Sequence, residues 1–446
     1  MVKNYGSDDG MEINVKKNLY NVDYLIIGVY CLVYAYAVNL ILSSYYMAGD
    51  YPVVLYGKSF GWGRLIICIA IIEGSYFVKK KLIWRNLLNK YVIDVLFLFF
   101  FFPAIMSFSL FKYTYSMEFT IYTLRYWHFI IIFFNLFGIK IKKNYIKIKK
   151  DFLDYLILVC VLALIILIIN KIGGVKISID LSNVYETRLN FQDEAGYSLV
   201  LLKTALGLII CPMLVTYYLF VEKYIMFIIA CAMQIVTYSM GKDKSYLLLL
   251  FIAITIGLAK KIISENYALA FLLGMIILII SDIMAIFNIM QNFIFNIVIR
   301  RLFVMPIWLQ NVYFNYFYTT PKLWWRQDTF LVDKFFSPVY SQSLVKIISE
   351  DYFDGWILSP NCGMIGEAFT RCGYFGIIIY PVIIALLTRI ISLILEGIEP
   401  PVLFVFTIGY CMIICNDIIT STSVTGILLI SLLVLTMMRK NISNKI

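Results

Sequence analysis

A chain of 446 residues that is 62% hydrophobic and only 15% charged lies outside the composition of soluble domains, which are about 45–50% apolar and about 25% charged. Its apolar residues come in blocks approaching the roughly 20 residues that cross a bilayer, which excludes a soluble enzyme and indicates a polytopic, all-α membrane protein. The net charge of +11 sits mainly in short segments between those blocks, not in a basic stripe, so nucleic acid is not expected as a partner. Nine cysteines without CxxC spacing and a single histidine, His128, give no reason to expect a metal centre, a cofactor or a disulfide framework.

In chain order, Met1 to Asn21 is polar, and the apolar run that follows is too long for the core of a cleavable signal, so it reads as a signal anchor. Spans are expected near 22–47, 64–78, 91–111, 119–139, 153–172, 197–220, 224–240, 245–259, 267–287, 373–395, 401–419 and 424–438. They form a single integral membrane domain over 1–446, with about 12 helices. With the N-terminus inside, the inner segments hold 21 Lys and Arg, against eight in the shorter outer loops. That asymmetry orients both termini toward the cytoplasm. Two outer loops stand out: one of medium length at about 173–196, and a long one at about 288–372 that exceeds what a connection requires. The second is rich in Trp, Tyr and Phe, which argues for an ordered loop.

Cations recur on the expected outer side. Arg125 lies a few residues inside the fourth span in "LRYWH", Arg188 in "VYETRLNFQ", Lys242 and Lys244 in the turn "GKDKS", and Arg300 and Arg301 open "RRLFVMPIWLQNVYFNYF". Guanidinium and ammonium groups gathered at one membrane boundary suit phosphate or diphosphate, through bidentate donors from Arg and a compact charge from Lys. The plain alternatives are snorkelling to headgroups for Arg125, Arg300 and Arg301, interface anchoring for the lysines, and a surface ion pair for Arg188 among Glu186, Asp193 and Glu194. Within "NVYFNYFYTTPKLWWRQD", Tyr313, Tyr316, Trp324 and Trp325 suit stacking on sugar rings, or an interfacial aromatic belt. His128 reads as a packed core side chain.

"SPNCGMIGEAFTRCGYFGI", residues 359–377, closes the long loop. Ser359 and Pro360 form a helix start. In a helix running on from there, Cys362 and Cys372 are about 15 Å apart and do not pair. Glu367 and Arg371 share one face at i,i+4, as an ion pair or with Glu367 as a general base. Gly366 and Gly373 offer a close-approach stripe.

The sequence of features, from "GKDKSYLLLL" through "RRLFVMP" and an aromatic outer loop to "SPNCGMIGEAFTRCGYFGI", resembles the Wzy-type O-antigen polymerases, which join oligosaccharide repeat units. The resemblance covers the arrangement of nearly the whole chain through short motifs. It implies a membrane fold of the glycosyltransferase-C-like type and undecaprenyl-diphosphate-linked oligosaccharides as donor and acceptor. The implied reaction occurs at the periplasmic face of the bacterial inner membrane, without metal, with a flippase and a chain-length regulator as partners. Carried over by position, it gives catalytic roles to Arg188 and to Arg300 or Arg301, and lets Lys242 and Lys244 stand in for an arginine of the turn. Two family features are absent: no glycine lies ten residues after these arginines, and the long loop has no histidine. The alternatives are a lipid-linked oligosaccharide flippase or another transporter, and an O-antigen ligase-like transferase.

Overall fold

The computed structural model describes residues 24–39, 57–58, 60–82, 86–112, 115–138, 150–174, 194–259, 304–327, 335–353, 362–395 and 398–416, with 187, 190–191, 272, 274–280, 283, 427–428 and 431. The helices are α1 (Tyr24–Asn39), α2 (Trp62–Lys81), α3 (Leu87–Leu110), α4 (Ser116–Leu136), α5 (Lys150–Lys171) and α6 (Ser198–Phe220). They continue as α7 (Tyr224–Gly241), α8 (Lys244–Leu258), α9 (Met305–Thr319), α10 (Leu344–Phe353), α11 (Gly363–Cys372), α12 (Gly376–Ile394) and α13 (Pro400–Asn416). Among the described residues the only strand pairing is a two-residue antiparallel contact, Gly57–Lys58 with Phe111–Lys112. Four helical stretches are long and apolar enough to cross a membrane: Leu87–Leu110, Ser198–Phe220, Tyr224–Gly241 and Gly363–Ile394. Shorter apolar helices lie at Tyr24–Asn39, Leu158–Lys171, Lys244–Leu258 and Pro400–Cys415. The protein is therefore an all-helical, membrane-embedded bundle.

Two prolines shape the bundle. A proline inside a helix removes one N–H and clashes with the carbonyl four residues back. Both α3 and α6 widen to a π turn just ahead of one: Phe97–Phe101 before Pro103, and Leu206–Ile210 before Pro212. In α6 the loosened carbonyls find other neighbours. Gln234 of α7 donates its Nε2 to the Gly207 carbonyl at 3.0 Å and to the Tyr246 carbonyl at 2.8 Å. Gly409 of α13 lies directly against the Leu208 carbonyl, with no room for a Cβ. This seam makes α13 the bridge between two groups: α6 and α8 on one side, α3 and α11 on the other.

Among its described residues, the segment expected as one long outer loop contains three helices, and two of them are buried in the bundle. Every residue of α11 is buried, and α9 forms its closest partner. The approach depends on glycine. Gly366 faces the Tyr313 Cβ, and Gly363, at φ +62, meets the Gln310 side chain. Gln310 in turn accepts the Ile365 N–H at 3.0 Å, capping α11 from the neighbouring helix. The helix start expected at Ser359 and Pro360 falls outside the described residues; α11 itself begins at Gly363. It ends at Gly373, whose φ of +54 breaks the path before a 3₁₀ turn, Gly373–Phe375, leads into α12. Gly376 then passes against the Ala368 carbonyl and the Tyr122 hydroxyl.

Gly409→Ala should destabilise the protein by about 1–3 kcal/mol, because its Cβ meets a backbone oxygen that cannot turn aside. Gly63→Ala in α2, where nothing lies within 4 Å, should be neutral or stabilising by about 0.5–1 kcal/mol. Thermal unfolding of the two variants in detergent checks the contrast; equal melting temperatures would remove the backbone seam as an explanation.

Candidate functional site

The most unusual chemistry in the bundle is charge inside α11. Glu367 and Arg371 are each 1% exposed, and ionisable side chains at such depth are rare and commonly functional. Their i,i+4 spacing puts both on one face, with Arg371 Nε 3.6 Å from Glu367 Oε1. That oxygen accepts a second contact, a 2.8 Å hydrogen bond from the Tyr380 hydroxyl of α12. Arg371 also reaches out of the helix, donating Nη1 to the Gln327 carbonyl at 2.8 Å. A buried pair of this kind contributes little net stability, since desolvation of both charges offsets their attraction. Its value lies in what it positions.

What it positions is the turn 321–327. The Leu323 and Trp324 N–H groups donate to the Thr370 and Arg371 carbonyls, at 3.0 and 2.9 Å, and so satisfy the C-terminal end of α11. Trp324 and Trp325 both sit in the left-handed region, at φ +48 and +60. For bulky L-residues that conformation costs about 1–3 kcal/mol each, and it persists only where the surroundings enforce it. Arg371 and the end of α11 enforce it here. Trp325 stacks on Tyr380 with ring centroids 6.3 Å apart and planes 7° from parallel, covering the Glu367 carboxylate's partner. Trp324 turns outward, 49% exposed, beside the exposed Phe375. Lys322 closes the other side of the turn: it caps α9 at the Phe317 carbonyl and lies 4.9 Å from the Phe369 ring centre. Burial pushes the Lys322 ammonium below the ordinary lysine pKa.

A second charged cluster forms where α6, α7 and α8 meet. Lys203 lies one and a half turns into α6, 3% exposed, with Nζ 2.7 Å from Asp243 Oδ2. The Phe191 and Tyr246 rings lie 4.5 and 5.7 Å from the same ammonium. Lys242 adopts the left-handed conformation, φ +48, that ends α7, and Lys244 is the first residue of α8. Among the described residues no three His, Cys, Asp or Glu side chains gather as a metal site. The chain matches no family model, no curated protein and no solved structure.

The expected site residues are thus distributed unevenly. Arg188, Arg300 and Arg301 lie outside the described residues. Lys242 and Lys244 flank Asp243, and the lysine that holds this carboxylate, Lys203, was not among the expected cations. Its signal was available: it is a lone lysine inside the apolar run "YSLVLLKTALGLII". Arg125 is exposed on α4. His128 is partly exposed, with Nδ1 2.7 Å from the Leu124 carbonyl of its own helix. Tyr313, expected to stack on a sugar ring or join an aromatic belt, is buried at the α9–α11 contact. Tyr316 is half-buried, edge-on to Phe317 and Tyr352. Trp324 alone of these four presents a largely open ring.

Breaking either half of the α11 pair should cost far more than removing both. Glu367→Leu or Arg371→Met leaves an uncompensated buried charge and should destabilise by about 3–5 kcal/mol, whereas the double variant should cost clearly less than the sum. A double-mutant cycle by thermal unfolding in detergent reads this directly, and additive losses would rule out a coupled pair.

Proposed function

We propose that the protein polymerises oligosaccharide repeat units carried on undecaprenyl diphosphate, at the periplasmic face of a bacterial inner membrane that it crosses about twelve times with both termini in the cytoplasm. The observation that carries this reading is the buried Glu367–Arg371 pair in a membrane-spanning helix, which clamps a strained turn presenting an open tryptophan ring. A purely structural anchor has no use for that combination. The cations Lys203, Lys242 and Lys244, gathered where α6, α7 and α8 meet, support it as well, because a diphosphate calls for positive charge.

The chemistry needs few groups. The donor glycan is joined through C1 of its reducing sugar to the lipid diphosphate. A hydroxyl on the non-reducing sugar of the acceptor attacks C1; the new C1–O bond forms as the C1–O–phosphate bond breaks. The electron pair leaves on the diphosphate oxygen, and the hydroxyl proton passes to a carboxylate. Cations that meet the growing charge on the diphosphate stabilise the transition state more than the bound donor, which is what accelerates the step. Trp324 stacks on a sugar ring of the bound glycan. Glu367 takes the proton once the turn 321–327 lifts from Tyr380, since in the closed arrangement its carboxylate is covered. Arg188, Arg300 and Arg301 belong to the same outer cation group in this reading, and a flippase and a chain-length regulator are its natural partners.

Deleting the gene in its native strain and resolving the surface glycan by length on a gel should leave acceptor lipid bearing a single repeat. Complete absence of attached repeats would instead indicate a flippase or ligase, and an unchanged ladder would remove the protein from the pathway. In the complemented strain Trp324→Ala should shift the ladder toward short chains, while Trp324→Tyr should preserve most of it; matching full ladders from both would leave the ring without a role in glycan binding.

A further inference from the structure

We infer that Lys203 is the cation that receives the phosphate oxygens of the lipid-linked diphosphate, and that Asp243 is a carboxylate gate that occupies this cation until the anion arrives. The inference rests on the reading above and adds to it a residue and a mode of control.

Lys203 is the most deeply buried lysine of the cluster, and its ammonium faces Asp243 at 2.7 Å between the Phe191 and Tyr246 rings. The space it occupies is shaped for it: Gly241, the last residue of α7, lies against Nζ so closely that any side chain at that position would displace it. Asp243 is more exposed than its partner, with its side chain at 20% against 4% for Lys203. Solvent-borne or lipid-borne anions therefore meet the carboxylate side of the pair first.

Asp243 also has a second place to go. It stands at the N-cap position of α8, where aspartate ordinarily accepts the N–H groups of the first turn, yet its side chain makes no cap hydrogen bond. Its backbone is already extended, φ −71 and ψ 103, as a capping residue requires. Rotation of the carboxylate from Lys203 to the α8 terminus exchanges one partner for another without unfolding anything. A diphosphate entering at that moment takes the Lys203 ammonium, with Lys242 and Lys244 on either side of the gate in sequence. Phosphate oxygens and a carboxylate compete for the same donor, so the gate sets affinity by competition.

The opposite effects of two substitutions test this. The full chain is purified into phosphatidylcholine nanodiscs, and binding of undecaprenyl diphosphate, inorganic pyrophosphate and phosphatidylglycerol is followed by native mass spectrometry. Lys203→Ala should weaken undecaprenyl diphosphate binding tenfold or more. Asp243→Asn should tighten it severalfold, because the competitor loses its charge while the neutral amide still accepts a hydrogen bond. The same order with pyrophosphate identifies the diphosphate itself as the recognised group; the effect in the lipid arm alone assigns recognition to the lipid-borne headgroup. Unchanged or weaker binding by Asp243→Asn overturns the gate, and equal responses with phosphatidylglycerol overturn a diphosphate site. If Lys203→Ala does not fold, the gain in Asp243→Asn decides the matter. A glycan ladder that survives gene deletion would sink the polymerase reading while leaving these binding results standing; unchanged binding sinks this inference alone.

Discussion

A helix buried on every side must find partners for its own ends within the protein, and α11 is such a helix. Its first N–H groups and last carbonyls cannot reach water, so each end is met by a neighbour: Gln310 at the start, Leu323 and Trp324 at the finish. Those requirements fix α9 alongside α11 and fold the turn 321–327 back over its C-terminus. Once the turn is held there, Trp325 covers Tyr380, Tyr380 meets Glu367, and Trp324 is left facing outward. The arrangement of the candidate site follows from the need to satisfy one short helix.

The two proline-linked π turns work on the same principle elsewhere. Each gives up regular hydrogen bonding, and in α6 the resulting polar backbone becomes a contact surface. Around Pro212 that surface takes Gln234 from α7 and the bare backbone of Gly409 from α13. Both helices that carry the charged clusters pack on α13: α11 with Glu367 and Arg371, and α6 with Lys203 near its start.

Much of the helical framework was legible in the sequence because bilayer-length apolar runs are a one-dimensional signal. Helices α2 to α8, α12 and α13 fall close to their expected positions. The pairing of Glu367 with Arg371 was equally readable, being a matter of i,i+4 spacing within one helix. The interior of 288–372 was not. In α9, Gln310, Asn311, Asn315 and a row of aromatics resemble an interfacial loop, and only the facing glycines of α11 turn that mixture into a packed helix. The break at Gly373 depends on a positive φ that no local pattern demands. Lys203 was missed because its partner lies 40 residues away, across a complete helical hairpin. The burial of Tyr313 was not legible for the reason that makes α11 buried: the contact that covers it is tertiary.

The charges in α11 also bear on the order in which the bundle is assembled. A segment carrying a buried glutamate and arginine is a poor candidate to enter lipid alone. Its receivers are staged along the chain. Gln310 and Gln327 are synthesised first, so the N-terminal cap and the acceptor for Arg371 exist before the helix emerges, while Tyr380 follows 13 residues after Glu367. Seating α11 therefore draws on both neighbours: α9 supplies the cap at its start, and α12 the hydroxyl on its buried carboxylate. A chain that fails to seat α11 loses the turn, the stacked tryptophan and the buried pair together.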